Sequence, residues 1–232
     1  MENNFVEKLE AKQSLTGMLF RKTYLWMTFA LVITALSAMV VAKSPALIQM
    51  VYGSSFGIWA IVIAELALVW FLSARIMKMS LASAGLMFIV YSVLNGAMLS
   101  AILFVYSPAC IYKTFFITAG TFASVSLFGY LTKKDLSRMG SIMFMALIGL
   151  IIATVVNIFV HSSMLDIIIS YVGVIVFVGL TAWDTQKLKS LYEEAEEAND
   201  SVLKMALLGA LSLYLDFINL FLYLLRIFGR NE

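Results

Sequence analysis

The chain has 232 residues, 62% hydrophobic and only 13% charged, with a net charge of +2 and a mean hydropathy of +0.95. A soluble domain of this size carries far more charge, so the composition indicates an all-α polytopic membrane protein. It shows no recurring short apolar–polar alternation of an outer-membrane barrel and no basic block of a nucleic-acid binder, and its single Cys110 permits no internal disulfide.

Residues 1–22 read as a charged cytoplasmic tail, and residues 23–232 as a single seven-helix transmembrane domain. Apolar segments fall at 23–42, 56–74, 81–106, 112–131, 139–160, 166–186 and 205–228. Each is near the roughly 20 residues that cross a bilayer as a helix. The first exceeds the roughly 7–15 apolar residues of a signal-peptide core and is read as an uncleaved span. Pro45 and Pro108 punctuate turns between apolar runs. Gly96, Ala97, Ser100 and Ala101 in the third span, and Ala119, Gly120 and Ala123 in the fourth, give small faces suited to close helix contact. His161 stands alone in an outer loop. The longest polar connection is Lys187–Lys204, whose Glu193, Glu194, Glu196, Glu197 and Asp200 form a solvated acidic face.

Twelve Lys and Arg residues lie in the tail and in the second, fourth and sixth connections, against only Lys43 and Lys113 in the other three. The positive-inside rule then places the N-terminus in the cytoplasm. Seven spans put the C-terminus outside, where Arg226 and Arg230 run against the rule. A re-entrant last segment with the C-terminus inside would also accommodate them.

Four ionisable groups fall within or at the edge of the spans: Glu65, Arg75, Asp184 and Asp216. A carboxylate at the centre of a membrane helix costs about 2.5–3.5 kcal/mol on insertion scales, so Asp216 in the last span marks a functional position. Asp184 falls at the cytoplasmic end of the sixth span as drawn. If that helix runs deeper, the two carboxyl groups could meet. Two charges about 4 Å apart repel by roughly 4 kcal/mol at an effective dielectric of 20, so such a pair would titrate as a unit around one shared proton. The alternative for Asp216 is a buried ion pair with Arg75 or another base. Arg75, at a helix end, could equally snorkel to the interface.

The run Gly209–Gly229, GALSLYLDFINLFLYLLRIFG, resembles the final-helix signature of the Bax inhibitor-1 (transmembrane Bax inhibitor motif) family. GLTAWDTQKLK at Gly179–Lys189 is similar to its sixth-helix motif, LTKKDLSRMGS at Leu131–Ser141 to its fourth connection, and VVNIF to its fifth helix. The resemblance spans essentially the whole chain, in the short bacterial form. It implies seven helices with the last enclosed by the other six, multi-pass in the cell inner (plasma) membrane. It also implies a pH-sensitive calcium leak, sensed by an aspartate pair that falls on Asp184 and Asp216, which would also touch calcium in transit. Arg75 matches the latch, and Glu65 matches an acid of the pathway in kind. The implied partners are the bilayer, protons and calcium as the permeant ion, with no cofactor and no nucleic acid.

Other functions make different demands on the same residues. An intramembrane aspartyl protease needs a GxGD motif, and Leu213, Tyr214 and Leu215 precede Asp216 instead, so no enzyme is expected. Some bacterial relatives are described as non-conducting regulators that bind a membrane-anchored ATP-dependent protease, a task the tail Met1–Lys22 could serve. A proton-coupled solute transporter is a third reading, although the sequence lacks paired Gly/Pro-interrupted helices.

Overall fold

In a computed structural model, which describes residues 2–231, the chain is all-α, with no strand among the described residues. Its helices are α1 (Glu2–Lys43), α2 (Pro45–Tyr52), α3 (Ser55–Arg75), α4 (Leu81–Leu99), α5 (Ile102–Val105), α6 (Pro108–Leu131), α7 (Ser137–Val160), α8 (Ser163–Glu194) and α9 (Asp200–Phe228). Seven segments are long and apolar enough to cross a membrane, α4 and α5 together forming the third. The starts of α2, α3, α4 and α6 are set by Ser44, Ser54, Ser80 and Ser107, whose hydroxyls accept the backbone N–H three residues on. Pro45 and Pro108 occupy the first helical turn, where their missing N–H costs nothing. Exposed His161 closes α7 in the left-handed conformation, at φ 52°.

Three expectations need correction. The segment before residue 23 is not simply a polar tail, because α1 runs unbroken from Glu2 and buries Thr16, Leu19 and Phe20. Next, α8 continues eight residues beyond the expected end at 186, leaving only residues 195–199 before α9. Its buried stripe Thr181, Thr185, Leu188, Tyr192 persists at helical spacing while charged residues take the other face. Finally, the packed face of α6 is Thr114, Thr118, Phe122, Ser126 and Gly129, whereas Gly120 and Ala123 are exposed.

The chain divides into two compact units, Met1–Val105 with Leu191–Tyr214, and Tyr106–Ser190 with Leu215–Glu232. In the first, α4 packs along α1 and against α3. Gly96 sits against the carbonyl of Thr34 with no space for a Cβ, as expected of the small residues in the third span. The third span breaks after Leu99, and Tyr52 repairs the break. Its hydroxyl lies 3.0 Å and 2.8 Å from the carbonyls of Ala97 and Met98, and it accepts the N–H of Ala101 at 3.2 Å. At the other end of this unit, the Thr23 and Tyr192 hydroxyls meet at 2.6 Å.

In the second unit, glycines and aromatic rings set the helix spacing. Gly129 of α6 lies on the backbone of Ala182 in α8, Gly140 of α7 lies under the Trp183 ring, and Gly173 of α8 lies under the ring of Tyr223 in α9. Phe217 of α9 meets Phe115 and Phe122 of α6 edge to face, with centroids 5.7 Å and 5.5 Å apart. Of the seven spans α9 is the most buried, at 67% of its apolar window, against 6% for those of α3 and α7. Large apolar side chains such as Trp70 and Phe159 remain exposed, as on a lipid-facing surface.

Candidate functional site

Asp216 lies on the second unit's part of α9 and is only 5% exposed. Its Oδ2 is enclosed and has no hydrogen-bond partner. Two side chains of α8 act on this carboxyl group: Asp184, through its charge, and Thr181, as a hydrogen-bonding neighbour. The extension of α8 to Glu194 is what makes this possible, since Asp184 lies ten residues inside the helix rather than at its end. At 1.5 Å per residue that is roughly 15 Å from the helix end. The Thr181 hydroxyl donates to the carbonyl of Phe177 at 2.7 Å, so its oxygen is left to accept.

Buried hydroxyl residues recur along α6 and α8. Thr114, Thr118 and Ser126 of α6 and Thr181 and Thr185 of α8 are all buried, and Thr185 reaches Ser126 at 3.4 Å. Gln186 fixes the position of α8. Its carbonyl oxygen accepts the N–H of Leu136 at 2.7 Å, and its amide donates to the carbonyl of Lys134 at 2.8 Å. The connection between α6 and α7 is thereby tied to the helix carrying Asp184.

Glu65 and Arg75 belong to the first unit. Glu65 is half-buried in α3, with Asn95 of α4 as a polar neighbour of its carboxyl, while its Oε1 has no partner. Asn95 in turn accepts from the Tyr214 hydroxyl at 3.1 Å, and that hydroxyl meets Thr34 of α1 at 2.7 Å. Thr34, Tyr214 and Asn95 form a continuous chain of hydrogen bonds, which ends beside Glu65. Nothing in the sequence signalled Tyr214 or Asn95, whose partners lie up to 180 residues away. Arg75 is exposed at the end of α3 and forms no ion pair among the described residues.

Among the described residues, no three His, Cys, Asp or Glu side chains converge.

Residues 16–232 match the family model described as inhibitor of apoptosis-promoting Bax1. The chain belongs to the Bax inhibitor-1 family. Across 212 residues it is 49% identical to the inner membrane protein YbhL of Escherichia coli (strain K12), covering 91% of each chain. An uncharacterised protein of Rickettsia prowazekii is 42% identical over 212 residues, which is 91% of this chain and 89% of that one. One from Borreliella burgdorferi is 39% identical over 211 residues, 91% of each. The Bax inhibitor-1 match takes in α6 to α9 and with them the Asp184–Asp216 neighbourhood.

Proposed function

We propose that this Bax inhibitor-1 family membrane protein is a calcium leak channel of the inner membrane, gated by a proton shared between Asp184 and Asp216. The observation that carries this reading is the enclosed Asp216 carboxyl, with one unpartnered oxygen and a second carboxylate acting on it. Removing the shared proton leaves two like charges close together at low dielectric, and the helices must shift or admit a cation. The buried hydroxyls of α6 and α8 supply polar lining without trapping calcium, as conduction requires.

In this reading the N-terminus is cytoplasmic and the C-terminus lies across the membrane. Arg75 takes the part of the latch that the family resemblance implies, and Glu65 that of an acid along the ion pathway. Calcium flux into liposomes across a pH series tests the proposal. Wild type should show a pH-dependent leak, and the double variant Asp184→Asn with Asp216→Asn should lose that dependence. A double variant that keeps the wild-type profile would remove the assignment.

A further inference from the structure

We propose that the membrane edge where α8 begins and α9 ends binds a phosphate group, at Arg226, Arg230 and Asn157. This site is separate from the aspartate pair and does not depend on the leak reading. Asp166, in the first turn of α8, is the one carboxylate paired with both arginines there. Among the described residues, two guanidinium groups stand against this one carboxylate. The contacts are long, 3.4 Å from Arg226 and 3.3 Å from Arg230, compared with about 2.7–2.9 Å for a strong charge-assisted hydrogen bond. Asp166 therefore holds the arginines in place without saturating their donors.

The neighbourhood is organised to receive an anion. Arg226 lies over the ring of Tyr223, 5.6 Å from its centroid, which orients the guanidinium plane. The Asn157 side-chain oxygen accepts the N–H of Ser162 at 3.0 Å, turning the amide nitrogen into a fixed donor. Between them opens a cavity of about 250 Å³, lined by Thr154, Asn157, Ile158, Asp166, Ile169 and Arg226. Arg226 lines the cavity, and Arg230 reaches the same Asp166 carboxylate from beside it. A planar guanidinium fork matches phosphate oxygens bidentately. The cavity lies where apolar spans end, and Ile158 at its rim is 61% exposed. That position suits a phospholipid headgroup with an acyl chain along α7, and a free phosphate ion would satisfy the same donors.

Binding can be measured on the full-length protein in detergent, with phosphatidylglycerol and inorganic phosphate as separate probes. At least one probe should bind saturably. Combining Arg226→Gln with Arg230→Gln should weaken that binding about tenfold or more, while Asp166→Asn, which removes the competing carboxylate, should strengthen it. Phosphatidylglycerol that millimolar phosphate does not displace identifies a headgroup site; saturable binding of phosphate alone identifies an ion site. The proposal is overturned if neither probe binds, or if a double variant with wild-type helicity binds as wild type does. Should the double variant fail to fold, weakened binding in Asp166→Asn overturns it instead.

Discussion

Gly129 of α6 lies against the carbonyl of Ala182 in α8 so closely that no methyl group fits between them. The next residues of α8 include Asp184, so this crossing sets where that carboxylate sits. Gly129→Ala should destabilise the protein by about 1–3 kcal/mol through overpacking. Thermal unfolding in detergent measures this, and an unchanged midpoint would mean that the crossing relaxes freely.

Tyr52 presents its hydroxyl to the backbone groups released where the third span breaks. Tyr52→Phe keeps the ring and leaves the Ala101 N–H without that acceptor. A loss of about 1–3 kcal/mol is expected, the usual cost of an unsatisfied buried polar group. Hydrogen exchange at residues 98–103 should quicken in parallel. Protection equal to wild type would show that the break supports itself.

The Tyr214 hydroxyl joins Thr34 to Asn95, and Asn95 neighbours Glu65. Tyr214→Phe removes the middle of this chain, so the Asn95 amide should become mobile and Glu65 less fixed. Tyr214 is two residues from Asp216, roughly 200° around the same helix. We expect Tyr214→Phe to lower the thermal midpoint and to shift the pH midpoint of calcium flux, while Tyr192→Phe, elsewhere in the same unit, lowers stability alone. Equal pH midpoints in wild type and Tyr214→Phe would contradict this.

Asp135 lies outside the spans and accepts the N–H of Ser137 at 2.9 Å. The Ser137 hydroxyl and backbone N–H hold its carboxyl below the ordinary carboxylate range. For a depressed acid, the stabilising contact is fully present above the unfolded pKa and is lost as pH falls through the folded value. The residue stays charged throughout neutral pH, so Asp135→Asn should leave the flux profile unchanged between about pH 5 and 8. A displaced profile would assign part of the pH response to this connection.

The spans were legible because a bilayer demands length and apolarity, and both can be read along one strand of sequence. Pro45 and Pro108 marked where two helices start, while the serine caps were seen only in the structure. Asp184 and Asp216 were visible as acids in apolar surroundings, but their proximity depended on how far α8 continues. Hydropathy falls after Gln186 because Lys187, Lys189, Glu193 and Glu194 cover its outer face, while Leu188 and Tyr192 remain buried on the other. The break near Ser100 carries neither glycine nor proline, and its remedy, Tyr52, lies 49 residues from Ala101. On α6 the buried face is made of hydroxyl residues, so small size alone pointed to the wrong side. The Thr34–Tyr214–Asn95 chain has no local pattern at all; only the tertiary packing of three helices creates it.

The five residues 195–199 are a short leash between α8 and α9, spanning at most about 18 Å when fully stretched. At the opposite tips of the same hairpin, Asp166 fastens Arg226 and Arg230. With the two rods tethered at one extremity and buckled at the other, they cannot swing apart like a pair of tongs. The relative motions left to them are torsion and small axial slippage.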